Sequence, residues 1–226
     1  MVFVLVVLTV LIFIGVDYLL RKEEKVIKES TKSKKSPIFL SPEKALVEIG
    51  EDENKLYHIS HTWALSSDPE YAYISYDRFM STIFSSDIHI NKIAAIGNHV
   101  VQGNRIWDLQ SGNNTISQLS PLSGTVIEIN PACTMSIPVS AKQAEKSWIV
   151  KLKPDNVKHD AKNLMNHSQA ETVNNILRDE LVLQAQQGNY LNDGGSIDPD
   201  YIKNMKQKDW NMLLDRFFPY HRELNG

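Results

Sequence analysis

The first twenty residues constrain this chain more than any motif downstream. Val2 to Leu20 reads VFVLVVLTVLIFIGVDYLL, with Asp17 its one charged side chain. As a helix rising about 1.5 Å per residue, that stretch spans roughly 28 Å, close to the roughly 30 Å of a bilayer's hydrocarbon core. It predicts a transmembrane helix over residues 1–20, with the membrane as a partner of Val2 to Leu20. A cleaved signal peptide fits less well. No basic residue precedes the run, and no small-residue cleavage pattern follows it, since Arg21-Lys22-Glu23-Glu24-Lys25 comes next. Asp17 lies at the exit end beside Tyr18, where a carboxylate reaches the headgroups. Arg21, Lys22, Lys25, Lys28, Lys32, Lys34 and Lys35 all follow the span. By the positive-inside rule the bulk of the chain faces the cytoplasm. The expectation is a single-pass protein of a bacterial inner membrane with its globular part in the cytoplasm.

Residues 21–41 are polar, rich in Lys and Ser, and punctuated by Pro37 and Pro42 at the far end, the composition of a linker. The folded part is expected over 42–170, with a helical extension over 171–226. Short apolar or alternating runs recur between turn signals up to about Lys153: Tyr71 to Ser75, Ile88 to Ile96, His99 to Val101, Arg105 to Leu109, Thr125 to Ile129 and Trp148 to Leu152. Within this stretch only Asp77 to Phe84 reads as a helix. Short strands at such spacing predict a mainly β barrel or sandwich rather than alternating βαβ units.

Beyond Pro154 the period changes. Ala161, Leu164 and Met165, then Val173, Ile176, Leu177 and Leu181, fall at helical spacing. Gly188-Asn189 and Asp193-Gly194-Gly195 break the pattern before an amphipathic stretch from Tyr201 to Phe218. There Trp210, Leu213, Leu214, Phe217 and Phe218 line one apolar face. An apolar face of that size is expected to pack on its own domain.

Chemistry-bearing patterns are sparse. The chain has 24 basic and 27 acidic side chains, a net charge of -3, so no overall field draws it to nucleic acid. Cys133 is the only cysteine, which excludes an intrachain disulfide. His58 and His61 are spaced i, i+3, which converges on a metal only on a helix, and no further ligand cluster lies nearby in sequence. Gly97, Gly103 and Gly112 make no nucleotide-binding fingerprint, and Ser123-Gly124 lacks a nucleophile elbow. No catalytic, metal-binding or cofactor-binding residue is predicted, and the chain is not expected to be an enzyme.

One stretch is more specific. Ile93 to Asn130 reads IAAIGNHVVQGNRIWDLQSGNNTISQLSPLSGTVIEIN. It resembles the H protein of the glycine cleavage system, whose pattern runs Leu-Pro-x-Val-Gly, Val-x-x-Gly, a Glu-Ser-Val-Lys hairpin and Pro-Val-Ser-Gly-x-Val-x-x-x-Asn. His61-Thr62-Trp63 is similar to that family's His-Glu-Trp. Ser147 to Pro154, SWIVKLKP, is similar to its Gly-Trp-Leu-x-Lys-x-x-Pro. The resemblance covers about residues 57–170 and implies a barrel-sandwich hybrid of the lipoyl/biotinyl-like, H-protein type. In the family the hairpin lysine bears lipoate, which carries an aminomethyl group between enzymes. Here Gln110-Ser111-Gly112-Asn113 stands in those places. Counting on from Gly103 and back from Pro121 both land on Asn113, and a carboxamide cannot form the adduct.

The resemblance therefore implies a non-lipoylated, membrane-anchored scaffold or interaction subunit that docks on a protein partner in a membrane-associated complex. Two alternatives stay open. One is a lipoyl-type carrier with its group on another residue. The other is a periplasmic adaptor of the membrane-fusion type, which the contiguous motif and the charge bias oppose.

Overall fold

The computed structural model describes residues 52–221, apart from 69, 85, 86, 135–137, 193, 195, 196 and 199. The expected transmembrane helix and linker lie outside these residues. Among the described residues, no helix is long and apolar enough to cross a membrane.

Two antiparallel sheets form the body. The larger has the order β1 (Leu56–Tyr57), β2 (Thr62–Asp68), β3 (Tyr71–Tyr76), β10 (Val150–Pro154), β8 (Gly124–Ile129), β5 (His99–Val100). The smaller has the order β7 (Asn114–Leu119), β6 (Arg105–Ser111), β4 (Asp87–Asn91), β9 (Val139–Ser140). Alternation explains the division of surfaces. Ala72, Ile74 and Tyr76 on β3, Val150 and Leu152 on β10 and Val126 on β8 turn inward to meet Ile106, Leu109 and Ile116 of the smaller sheet in one core.

Helix α1 (Arg78–Ile83) links β3 to β4, and its Phe79, Met80 and Ile83 are buried. Helix α2 (Ala141–Glu145) leads from β9 toward β10. It is fixed to β3 from below: the Tyr76 hydroxyl donates to the Ala141 carbonyl at 2.8 Å and Ser75 Oγ to that of Ala144 at 3.1 Å. The mainly β body with a helical carboxy-terminal region is as the sequence predicts.

Several details differ from the sequence reading. The run Ile88 to Ile96 ends as a strand at Asn91, because Lys92 takes φ of 49° and turns the chain. β2 and β7 were hidden in the sequence by their polar residues, such as Ser66 in β2 and Asn114, Thr115 and Ser117 in β7. After the short helix α3 (Val157–Asp160), the boundary expected at residue 170 falls inside α4 (His167–Gly188). This helix begins with a capping box, Asn166 accepting from Gln169 N at 2.9 Å while Gln169 Oε1 accepts from Asn166 N at 3.0 Å. It ends at Asn189 in the left-handed conformation. Its first turns cover β1 and β2, where Ala170 joins Tyr57, Trp63 and Leu65 in a small second core. The β body and the helical part are thus spliced by one continuous helix.

Gly124 shows why the body tolerates little change at its strand entries. A Cβ there would run into the Lys153 carbonyl oxygen and come within 2.6 Å of Leu152 Cδ2. The pairing of β8 with β10 is possible at that point only without a side chain.

The carboxy-terminal residues complete the core rather than project from it. After α4 come α5 (Tyr201–Asn204), α6 (Gln207–Phe217) and a short 3-10 turn, Pro219–His221. Trp210, Leu213, Phe217 and Phe218 are buried in the main core, which is the intramolecular packing expected from the sequence. Arg216 of α6 pairs with Glu180 of α4, and the Tyr190 hydroxyl donates to Asp209 Oδ2 at 2.7 Å. Replacing Trp210 with Ala removes a side chain that is 3 % exposed. It is expected to cost about 3–5 kcal/mol and lower the melting temperature by on the order of 10 °C. A thermal melt followed by circular dichroism checks this, and an unchanged midpoint would contradict the packing of α6.

Candidate functional site

The hairpin of β6 and β7 is the element that the sequence singles out. Ser111 pairs with Asn114, so the loop is two residues long, Gly112-Asn113. Gly112 takes φ of +57°, while Asn113 and Asn114 do not enter the left-handed region. The turn expected over Gly112, Asn113 and Asn114 is therefore tighter than the residue types suggested, and Asn114 already belongs to β7. Gln110, half-buried on β6, accepts from Asn91 Nδ2 at 2.6 Å and donates to the Gly112 carbonyl at 3.1 Å. It supports the loop rather than reaching outward. Asn113 itself is exposed at the tip.

The tip has a neighbour that no local pattern of residues announces. Asn114 Nδ2, nearly buried, donates to the Ile202 carbonyl of α5 at 2.6 Å. A Cβ placed on Gly112 would stand 3.3 Å from Lys203 Cγ and 3.5 Å from the Lys203 carbonyl oxygen. Lys203 is 58 % exposed in its side chain, and its Nζ is 3.9 Å from Asp200 Oδ1. The fold has thus brought a lysine to the hairpin from far along the chain. The nearest lysines in sequence, Lys92 and Lys142, do not do this: Lys92 Nζ lies 3.5 Å from the Asp108 carboxylate and Lys142 is on α2.

A second polar cluster lies under the His61-Thr62-Trp63 motif. His61, with φ of 63°, turns its ring inward and donates from Nδ1 to Asp77 Oδ2 at 3.1 Å. Asn174 of α4 donates to the same oxygen at 2.9 Å, and Phe79 N donates to Oδ1 at 3.0 Å. Burial alone would raise the Asp77 carboxyl. The attraction of His61, its hydrogen bond, and those of Asn174 and Met80 N outweigh burial and hold the carboxyl below the usual carboxylate range. His58 is not a co-ligand of His61. Its Nδ1 faces Ser60 Oγ at 2.7 Å, and burial, with His61 nearby, lowers its pKa.

Beside this cluster a cavity of about 210 Å³ is lined in part by Lys55, Trp63, Arg78, His167 and Glu171. Several of its charged groups already have partners. Lys55 Nζ sits 4.4 Å over the Trp63 ring, Arg78 is 3.8 Å from Glu145, and His167 is 3.8 Å from Glu171. Among the described residues, no three His, Cys, Asp or Glu side chains converge as a metal site would require. Burial pushes the Cys133 thiol up to about 12, so it stays protonated and is no nucleophile at neutral pH.

The model of the family described as "Glycine cleavage H-protein" matches residues 55–176, which is over half of the chain. The chain belongs to the glycine cleavage H-protein family. It is 27 % identical over 123 residues to a probable glycine cleavage system H protein of Thermococcus kodakarensis, covering 53 % of this chain and 91 % of that one. A probable glycine cleavage system H protein of Pyrococcus abyssi is 25 % identical over the same shares. A crystal structure of a glycine cleavage system H protein from Mycobacterium marinum aligns with a TM-score of 0.42 at 16 % identity, over 54 % of this chain and 98 % of that one. The family match ends at residue 176, inside α4. In this H-protein-family chain, α5 and α6 lie beyond the matched region.

Asp77 is the element of the site that the sequence reading did not identify. The left-handed His61 and the N-cap position of Asp77 carry no local signal for each other, being joined only when β2 and β3 pair. With the carboxyl's folded-state pKa below its unfolded value, its stabilising effect is present above pH about 4 and is lost as the pH falls below that. Asp77→Asn is expected to lower stability at pH 7 by about 1–3 kcal/mol. It should also flatten the loss of stability on acidification, as read from urea unfolding across a pH series. An unaltered acid limb would show that another carboxyl governs it.

Proposed function

We propose that this H-protein-family chain is a non-catalytic interaction module that carries no lipoyl group on its hairpin and is tethered to a membrane by Val2 to Leu20, on the cytoplasmic side, in a membrane-associated protein complex. The observation that carries this reading is the residue at the hairpin tip. The family attaches lipoate to a lysine amine in the Glu-Ser-Val-Lys hairpin, and the corresponding place, by the spacing from Gly103 and Pro121, is Asn113. The side chain there is a carboxamide, whose nitrogen is not a nucleophile, and so the residues do not fit the group. The motifs that build the body are kept around it, including Gly97, Gly103 and Gly124. A body kept without its attachment residue supports a role in binding rather than in transfer.

A tether supports the same reading. The apolar run matches the length of a bilayer span, and the basic stretch after it favours a cytoplasmic domain. Held at a membrane, the module would meet a complex already concentrated there, which raises its effective concentration without any new contact.

A second reading is favoured by one observation. Lys203 stands beside Gly112 at the tip, so an acyl carrier with its group on a residue other than 113 has a lysine in place. The two readings differ in mass. The full chain, expressed with lipoate and a lipoate ligase and measured intact, is expected to show no lipoyl adduct. A gain of one lipoyl mass, abolished by Lys203→Arg, would establish the carrier instead. Membrane tethering is checked separately by fractionation, with deletion of residues 1–36 expected to move the protein to the soluble fraction.

A further inference from the structure

We propose that helix α5 is a fixed cap on the β6–β7 hairpin, and that the hairpin serves as the seat of the chain's own extension instead of an arm offered to another protein's active site. This rests on the reading that Asn113 carries no acyl group. The seat is made by three neighbouring residues of the hairpin. Asn114 is 4 % exposed and commits its amide to the Ile202 carbonyl at 2.6 Å. Gly112 lies so close that an added Cβ would be 3.6 Å from Lys203 Cα. The tip therefore packs against both the side chain and the main chain of Lys203. A valine at 112, as in the family pattern, would place two further carbons where Lys203 now lies, and at φ of +57° a β-branched residue is strained besides.

The cap is held from behind. Tyr201 and Ile202 are 1 % and 2 % exposed, and with Met205 they belong to the main core. The Tyr201 ring packs edge-on against Tyr190 at 5.1 Å. So α5 does not rest on the hairpin by one hydrogen bond. It is anchored in the core on one side and seats the tip on the other. Asn113 keeps its outer face in solvent, but the flank at Gly112 is taken. An enzyme that must close around both flanks of the hairpin meets the extension first. The departures at 112 and 113 then have one cause. Glycine makes room for α5, and once α5 is in place a lysine at 113 can no longer be enclosed.

The test uses the full chain in mild detergent. Gly112→Cys with Lys203→Cys should cross-link under mild oxidation, since the separation suits disulfide geometry. The linked peptide and the loss of both thiols, with buried Cys133 unaffected, are the expected result, and failure to cross-link overturns the cap. Asn113→Lys is then offered to lipoate ligase with lipoate and ATP. It is expected to gain the lipoyl mass at least tenfold more slowly than Asn113→Lys combined with Ile202→Ser, which loosens the anchor. Asn113→Lys combined with Asn114→Ala, which removes only the hydrogen bond, should also react faster. Equal rates in all three overturn the proposal. A lipoyl adduct on the unsubstituted chain would instead defeat the non-carrier reading, a result that the cross-link does not give.

Discussion

The Asp77 carboxylate joins three pieces of chain: the start of α1, the turn before β2 and the long helix α4. Its Oδ1 caps α1 through Phe79 N and Met80 N, and its Oδ2 receives His61 from the turn before β2 and Asn174 from α4. A buried carboxylate is tolerable only when its lone pairs are filled by donors, and here no single element supplies enough of them. The β2–β3 corner, the crossover to the smaller sheet and the long helix must all be in place together. This gives the domain a cooperative joint at the point where its β body passes into its helical part. The backbone agrees, since Asp77 N donates to the His61 carbonyl at 2.9 Å.

The aromatic packing around that joint depends on the same geometry. With its Nδ1 fixed on Asp77, the His61 ring lies 4.5 Å from Phe79 and 5.6 Å, edge-on, from Phe218. Phe79 in turn meets Phe217 at 5.8 Å. The carboxy-terminal residues thus close over a surface that the first β-hairpin and α1 leave apolar. Each large side chain buried there is worth about 1.5–3 kcal/mol. That is why residues beyond the matched family region are integral to this domain's core and not a tail added to a finished one.

Much of the fold was legible in the sequence, and the exceptions share a physical cause. Strands such as β6 and β8 show in their alternation, and the apolar face of α6 shows in its period. β7 did not, because four of the six residues of NTISQL are polar: Asn114 bonds α5, Ser117 donates to Asp108, and Gln118 lies in the core against Met80. A strand whose polar residues are buried looks like a solvated one. His58 and His61 invite comparison as a pair, yet one ring serves Ser60 and the other Asp77, and nothing local distinguishes these. Lys203 at the hairpin is a contact across 91 positions of chain, from Gly112 to Lys203. Periodicity reports which side of an element is covered but not what covers it.

The hairpin separates two kinds of residue that the family pattern presents as one. Gly97 and Gly103 turn the chain with φ of 88° and 83°, and Gly124 admits the backbone of β10. Those requirements come from the path of the main chain and hold whatever the protein carries, so they bind this chain as they bind any other with the same body. The residues at 110, 112 and 113 answer to the surroundings of the tip. Gln110 braces the loop, Gly112 admits α5, and Asn113 is left at the edge of that contact. A change confined to the second set leaves the body standing and alters only what can approach it. The body can therefore stay the same while the flank of its tip at Gly112 is taken up by α5.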